Sequence, residues 1–149
     1  MLKRAKRLMP VVQMAEEAER EAATKLAAAQ QQLAGAQAQL EGLEQYRADY
    51  QQQWLARGQT GVTGEWLMNY QRFLSQLEVA IAQQRNNIRW HEQNVNRVRE
   101  VWKNAYTRLE GLRKLVERYR LQASQQADKL EQKAMDEIAQ RLGGRRQEH

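Results

Sequence analysis

Apolar residues recur along the second half of the chain in alternating steps of three and four. The series runs Leu67, Tyr70, Leu74, Leu77, Ile81, Gln84, Ile88, His91, Val95, Val98, Trp102, Ala105, Leu109, Leu112, Val116 and Tyr119, and fourteen of these sixteen positions are apolar or aromatic. That alternation is the seam of a coiled-coil helix. The first half repeats it through Ala22, Leu26, Ala29, Leu33, Ala36, Leu40 and Leu43. Alanine at every second seam position predicts a thin helix whose backbone can come close to a partner.

Between the two series lies Arg57-Gly-Gln-Thr-Gly-Val-Thr-Gly-Glu65. Gly58, Gly61 and Gly64 make a helix costly and a turn accessible. Thr63 or Gly64 is the candidate N-cap of the second helix, and Glu65 favours its dipole. The pattern predicts an all-α fold: one long two-helix antiparallel coiled-coil hairpin with unequal arms and basic termini. The first arm covers about residues 11–57, the Gly-rich hinge 58–64, the second arm about 65–141, and a charged tail 142–149. At about 1.5 Å per residue the arms are roughly 70 Å and roughly 115 Å long, so about the last thirty residues overhang. Pro10 suits a first helical turn, which makes Met1–Met9 a separate or frayed piece. Gly143-Gly144 is the expected end of the second helix.

Six of the ten aromatic residues, Tyr46, Tyr50, Trp54, Trp66, Tyr70 and Phe73, flank the glycine cluster. In heptad letters Leu40 is a, Leu43 and Tyr50 are d, and Gln39 and Tyr46 are g. On the second arm Leu77 and Gln84 are d, and Phe73 and Ala80 are g. In an antiparallel pair the two g edges flank the same side of the seam. Gln39, Leu43, Tyr46 and Tyr50 should therefore share one face with Phe73, Leu77, Ala80 and Gln84. Pairs whose numbers add to 123 link all eight, and the midpoint of that register falls inside the glycine cluster. A g-edge phenylalanine and tyrosine form a partly exposed apolar patch, the mark of a partner surface. On this reading Tyr50 and Phe73 are dispensable for stability, whereas Trp54 and Trp66 pack the tip.

Composition narrows the chemistry. With one Pro, eight Gly and runs of Ala, Gln, Leu, Glu, Lys and Arg, the chain suits long helices rather than a layered core. It has no Cys, which excludes disulfides and thiolate zinc sites and fits a reducing compartment. The start MLKRAKRLMPVVQMAEE is not a signal peptide, and no stretch is apolar enough to span a membrane. His91 stands alone at a seam position, without a ligand set, and reads as a polar residue that helps fix register. No nucleophile–base pair, phosphate loop or carboxylate pair is present, and a two-helix hairpin has little concave surface. The sequence predicts no enzyme, no cofactor, no metal and no small-molecule substrate.

Charge is unevenly placed within the net +6. Residues 1–14 carry four bases and no acid, residues 15–64 four bases and seven acids, and residues 65–149 sixteen bases and eleven acids. Both ends are basic, which suits an acidic protein surface, anionic lipid or nucleic acid.

The tip segment LEQYRADY…GVTGEWLMNYQRFLSQLEVAIAQQR resembles the equivalent stretch of the FliJ family of the bacterial flagellar type III export apparatus. The tail Gln132–Arg141, QKAMDEIAQR, resembles that family's near-terminal helix, and Pro10-Val-Val-Gln-Met-Ala-Glu-Glu its N-terminal arm. The resemblance covers essentially the whole chain. It implies a stalk-like coiled coil that associates with the hexameric export ATPase, binds the cytoplasmic domain of the membrane export gate and helps recycle export chaperones. It also implies a cytoplasmic location, peripheral at the inner face of the membrane at the flagellar base. By matching position, the gate-binding face falls on the same eight residues, Gln39, Leu43, Tyr46, Tyr50, Phe73, Leu77, Ala80 and Gln84. At the last of these the family has His in some members; Gln84 keeps hydrogen bonding and loses a titratable charge.

A stalk entering an ATPase ring needs protruding ends, and basic ends suit a lumen lined with carboxylates. The candidates are Lys3, Arg4, Lys6, Arg7, Lys133, Arg141, Arg145 and Arg146. Three other readings use the same features: a virulence-type secretion stalk, a nucleic-acid-binding coiled coil using the basic ends, and a coiled coil that dimerises through unpaired seam near Val116, Tyr119 and Leu130. Interleaved acids in the second arm, and aromatics remote from the basic termini, argue against nucleic acid.

Overall fold

The computed structural model describes residues 2–147, with side chains described from residue 2 to residue 144. Two helices account for nearly all of it, α1 from Leu2 to Thr60 and α2 from Gly64 to Gln147. The reversal takes only residues 61–63. Gly61 ends α1 with a φ of 84°, the left-handed conformation that costs glycine no Cβ clash. The Thr60 hydroxyl donates back to the Arg57 carbonyl at 3.0 Å. On the other side the Thr63 hydroxyl accepts the Trp66 amide at 3.1 Å, and its carbonyl accepts the Leu67 amide at 3.1 Å. Thr63 is thus the N-cap, Gly64 the first residue of α2, and Glu65 the acid in the first turn. Replacing the cap, Thr63→Ala, is expected to cost about 1 kcal/mol. A lower urea midpoint by circular dichroism would register it, and Thr63→Ser should restore the wild-type value.

The helices extend beyond the ends that the sequence suggests. Pro10 lies inside α1 rather than in its first turn, and Met9 and the turns before it are helical. Proline removes one backbone donor and costs about 3 kcal/mol in a helix interior. Packing offsets that cost, because Ala5, Val12 and Ala15 of α1 form a buried cluster with Leu109 and Val116 of α2. Leu8, Met9, Leu112 and Tyr119 close around it. Gly58 is likewise helical, and Gly143 and Gly144 are passed without a break. Gly61 is the one glycine with positive φ among the described residues, so the others supply no left-handed stop.

The chain packs as two compact units. One comprises residues 21–102 and contains the reversal; the other comprises residues 1–20 with 103–149. In each, α1 and α2 run antiparallel, as the contacts show. In the first, Gln39 meets Gln84 and Tyr50 meets Phe73. In the second, Glu16 meets Arg113 and Met9 meets Arg120. All sixteen seam positions from Leu67 to Tyr119 are buried or half-buried. On α1 the alanines at seven-residue spacing, Ala15, Ala22, Ala29 and Ala36, are buried, and Leu26, Leu33, Leu40 and Leu43 are half-buried. Beyond Gln122 and Ala123 the seam has no cover, and every residue from Ser124 to Gly144 is exposed.

Candidate functional site

Aromatic residues at four-residue spacing on α1, Tyr46, Tyr50 and Trp54, lie along one face of that helix. Trp66, Tyr70 and Phe73 do the same on α2 at steps of four and three. In the unit formed by residues 21–102 the two rows interleave as one connected array. Trp54 stacks on Trp66 at 5.6 Å and on Tyr70 at 4.8 Å, and Trp66 stacks on Tyr70 at 5.5 Å. Tyr50 stacks on Tyr70 at 4.8 Å, 7° from parallel, and leans on Phe73 at 4.6 Å. Tyr46 ends the array with its edge toward Phe73 at 5.8 Å. The Arg57 guanidinium caps the other end, 5.8 Å from the Trp66 ring centre.

The rings do not form two separate groups, one sealing the turn and one facing outward. Tyr70, a buried seam residue, touches Trp54, Trp66 and Tyr50, and Tyr50 passes the contact on to Phe73. The helical spacing of the rings, steps of four on α1 and of four then three on α2, is the signal that could have joined them in the sequence. Burial, and secondarily the neighbouring Tyr50 phenol, push the Tyr70 hydroxyl above its ordinary pKa. Exposure grades along the array: Tyr70 is buried, Tyr50 and Phe73 are half-buried, and Tyr46 is 52% exposed.

Polar contacts continue the same strip. The Gln84 amide donates to the Ala36 carbonyl at 2.8 Å and to Gln39 Oε1 at 3.2 Å. Arg47 pairs with Glu78 at 3.2 Å, and Arg85 with Glu44 at 3.1 Å. These surface pairs contribute little energy, and they mark which edges of the arms meet. Leu77 is buried, and Leu43 and Ala80 are half-buried. The structure therefore brings Tyr46, Tyr50 and Phe73 into ring contact and Gln39 and Gln84 into hydrogen bonding. Such a strip, with apolar rings at one end and neutral amides at the other, suits binding of a protein surface.

The basic candidates do not gather in one place. Lys3, Arg4, Lys6 and Arg7 are exposed on the first turns of α1, and the Arg4 guanidinium lies 5.9 Å from the Tyr119 ring centre. Lys133 and Arg141 are exposed on α2, respectively about 21 Å and about 33 Å along the helix beyond Tyr119. The side chains of Arg145 and Arg146 lie outside the described residues. His91 is half-buried on the seam, and its Nδ1 is enclosed without a hydrogen-bond partner. It therefore makes no register-fixing hydrogen bond through that atom. The described residues contain no group of three or more His, Asp or Glu placed to hold a metal. No helix among them is long and apolar enough to cross a membrane.

Residues 4–148 match the family model described as Flagellar FliJ protein. The chain is 33% identical over 109 residues to the Flagellar FliJ protein of Escherichia coli K12, covering 73% of this chain and 74% of that one. It is 32% identical over 104 residues to the Flagellar FliJ protein of Salmonella typhi, covering 67% and 71%. No solved structure matches it significantly. With a family match over nearly its whole length and two relatives above 30% identity, the chain belongs to the family of flagellar FliJ proteins.

Proposed function

We propose that this protein is a stalk-like component of the flagellar type III export apparatus. It associates with the export ATPase ring through its terminal segments, contacts the cytoplasmic domain of the membrane export gate through its tip, and helps to recycle export chaperones. It works in the cytoplasm, peripheral to the membrane at the flagellar base. The observation that carries this reading is the strip in which Tyr46, Tyr50 and Phe73 meet ring to ring and Gln39 meets Gln84 across the two helices. Gln39, Leu43, Tyr46, Tyr50, Phe73, Leu77, Ala80 and Gln84 are the residues assigned to the gate. Lys3, Arg4, Lys6, Arg7, Lys133, Arg141, Arg145 and Arg146 are assigned to the ring, where their charges steer association with a carboxylate-lined lumen.

Titrating the purified protein into the assembled flagellar export ATPase, with the hydrolysis rate as readout, tests the ring role. Stimulation is expected to saturate near one chain per ring. Charge reversal of Lys3, Arg4, Lys6 and Arg7 should shift half-saturation to higher concentration, most strongly at low salt, because exposed charges act over about 10 Å at modest ionic strength. An unchanged rate with a competent ring would remove the stalk role and leave the tip as the working surface.

A further inference from the structure

Past Ala123 the apolar spacing of α2 changes. The alternating steps of three and four that make the seam give way to steps of four, through Leu130, Ala134, Ile138 and Leu142. At about 100° per residue these four side chains cover about 120° of one helix face. Leu130, Ile138 and Leu142 are 70%, 56% and 56% exposed, and Met135 beside them is 65% exposed. Glu131 and Arg141 fall inside the same face, whereas Gln125, Lys129, Gln132 and Asp136 lie on the opposite one. This stretch belongs to the unit formed by residues 1–20 with 103–149, and it runs on past the last residues of α2 that α1 covers, Gln122 and Ala123. An amphipathic helix with its apolar face in water gains most of its stability when another helix covers that face.

The face is its own complement. Its positions reflect about Asp136, Leu130 onto Leu142, Glu131 onto Arg141 and Ala134 onto Ile138. In each pair the two residues lie at equal angles on opposite sides of the middle of the stripe. A two-fold axis between antiparallel helices brings such pairs to the same height. We propose that two copies of this chain associate through residues 124–147, antiparallel and centred on Asp136. Leu130 of one copy meets Leu142 of the other, Ile138 packs over Ala134, and Glu131 pairs with Arg141, each contact occurring twice. On one edge Met135 meets its own equivalent. On the other, Glu137 approaches its equivalent, and the two Lys133 side chains that flank the pair offset the repulsion. Asp136 lies on the outer face of both helices. A parallel pair in register would instead set Glu131 against Glu131 and Arg141 against Arg141. Length fits as well: Gln147 of the second copy comes opposite Gln125, so one overhang covers about 36 Å of the other and stops short of α1. A membrane would have to accept Glu131 and Arg141 within the inserted face. Lys133 and Arg141 are also assigned to the ATPase ring, so the dimer and the ring-bound chain exclude each other. The dimer does not depend on that assignment.

Sedimentation equilibrium of the full chain should show a monomer exchanging with a dimer in the micromolar range. Ile138→Glu places a charge in each half of the contact and should weaken the dimer at least about tenfold. Because Ile138 is exposed in the single chain, the helix content of dilute protein should not change. Glu131→Arg and Arg141→Glu should each weaken the dimer several-fold, since each sets like charges against one another. The double variant should restore it, because every exchanged charge again meets its opposite. Tyr46→Ala, in the other unit, should have no effect. A monomer throughout the micromolar range, a dimer indifferent to Ile138→Glu, or a double variant no tighter than either single one would overturn the proposal. No ATPase is present in this measurement, so the dimer can fail while the ring titration succeeds, and the reverse.

Discussion

Replacing Ile81 by alanine should destabilise the unit formed by residues 21–102 by about 3 kcal/mol, within the range for a buried isoleucine truncated to its Cβ. Ile81 is 1% exposed and is the largest side chain buried to that degree among the described residues. The cost depends on how far neighbours can move into the space, and here they have little freedom. Leu77, one turn earlier on the seam, is already buried. Gln84, in the next turn, is held by the Ala36 carbonyl and Gln39. The alanines along α1 have no side chain long enough to fill a gap. A two-helix layer also has no third element to shift inward. Urea unfolding followed by circular dichroism would measure the change, with Val79→Ala, at a 54% exposed position, as the control that costs little. A loss below about 1 kcal/mol for Ile81→Ala would mean that the seam closes more easily than its burial implies.

The seam was legible because its cause is local. An apolar residue every three or four positions can be buried only along one stripe of a helix, so burial from Leu67 to Tyr119 follows from spacing alone. The register was legible for a related reason. A short turn fixes which residues face each other, and Tyr50 meets Phe73 and Gln39 meets Gln84 as a midpoint inside the glycine cluster requires. Helix ends were less legible, because they are decided by contacts that no local signal contains. Pro10 reads as a start, yet burial of Ala5 and Val12 beside Leu109 and Val116 carries the helix past it. Gly58 and Gly64 read as loop, yet the left-handed residue at Gly61 and the Thr63 cap need only three residues to turn the chain. The aromatic site was legible in membership but not in connectivity. Heptad letters assign Tyr46 and Phe73 to an edge and Tyr70 to the seam, but letters carry no ring size. A tyrosine ring extends far enough to join seam and edge, and Tyr50 does so by stacking on Tyr70 and leaning on Phe73.

That connectivity changes what the tip substitutions should do. Tyr50→Ala removes two ring contacts from a half-buried position, and aromatic pairs contribute about 0.5–1.5 kcal/mol each beyond the area they bury. It is therefore expected to destabilise its unit by about 2 kcal/mol, contrary to the expectation that the ring is dispensable. Tyr46→Ala removes one edge contact from a residue 52% exposed and should leave melting nearly unchanged. Both should weaken binding to the cytoplasmic domain of the export gate, by roughly tenfold or more if these rings are interface anchors. The two variants separate binding from folding. Titration calorimetry of the gate domain against Tyr46→Ala reads the interface with the array intact, and Tyr50→Phe restores the ring without its hydroxyl. Recovery by Tyr50→Phe, together with lost affinity in Tyr46→Ala at unchanged melting temperature, would make the exposed end of the array the contact surface. Full affinity in Tyr46→Ala would instead confine the array to holding the turn and move the gate-binding surface to the Gln39–Gln84 end of the strip.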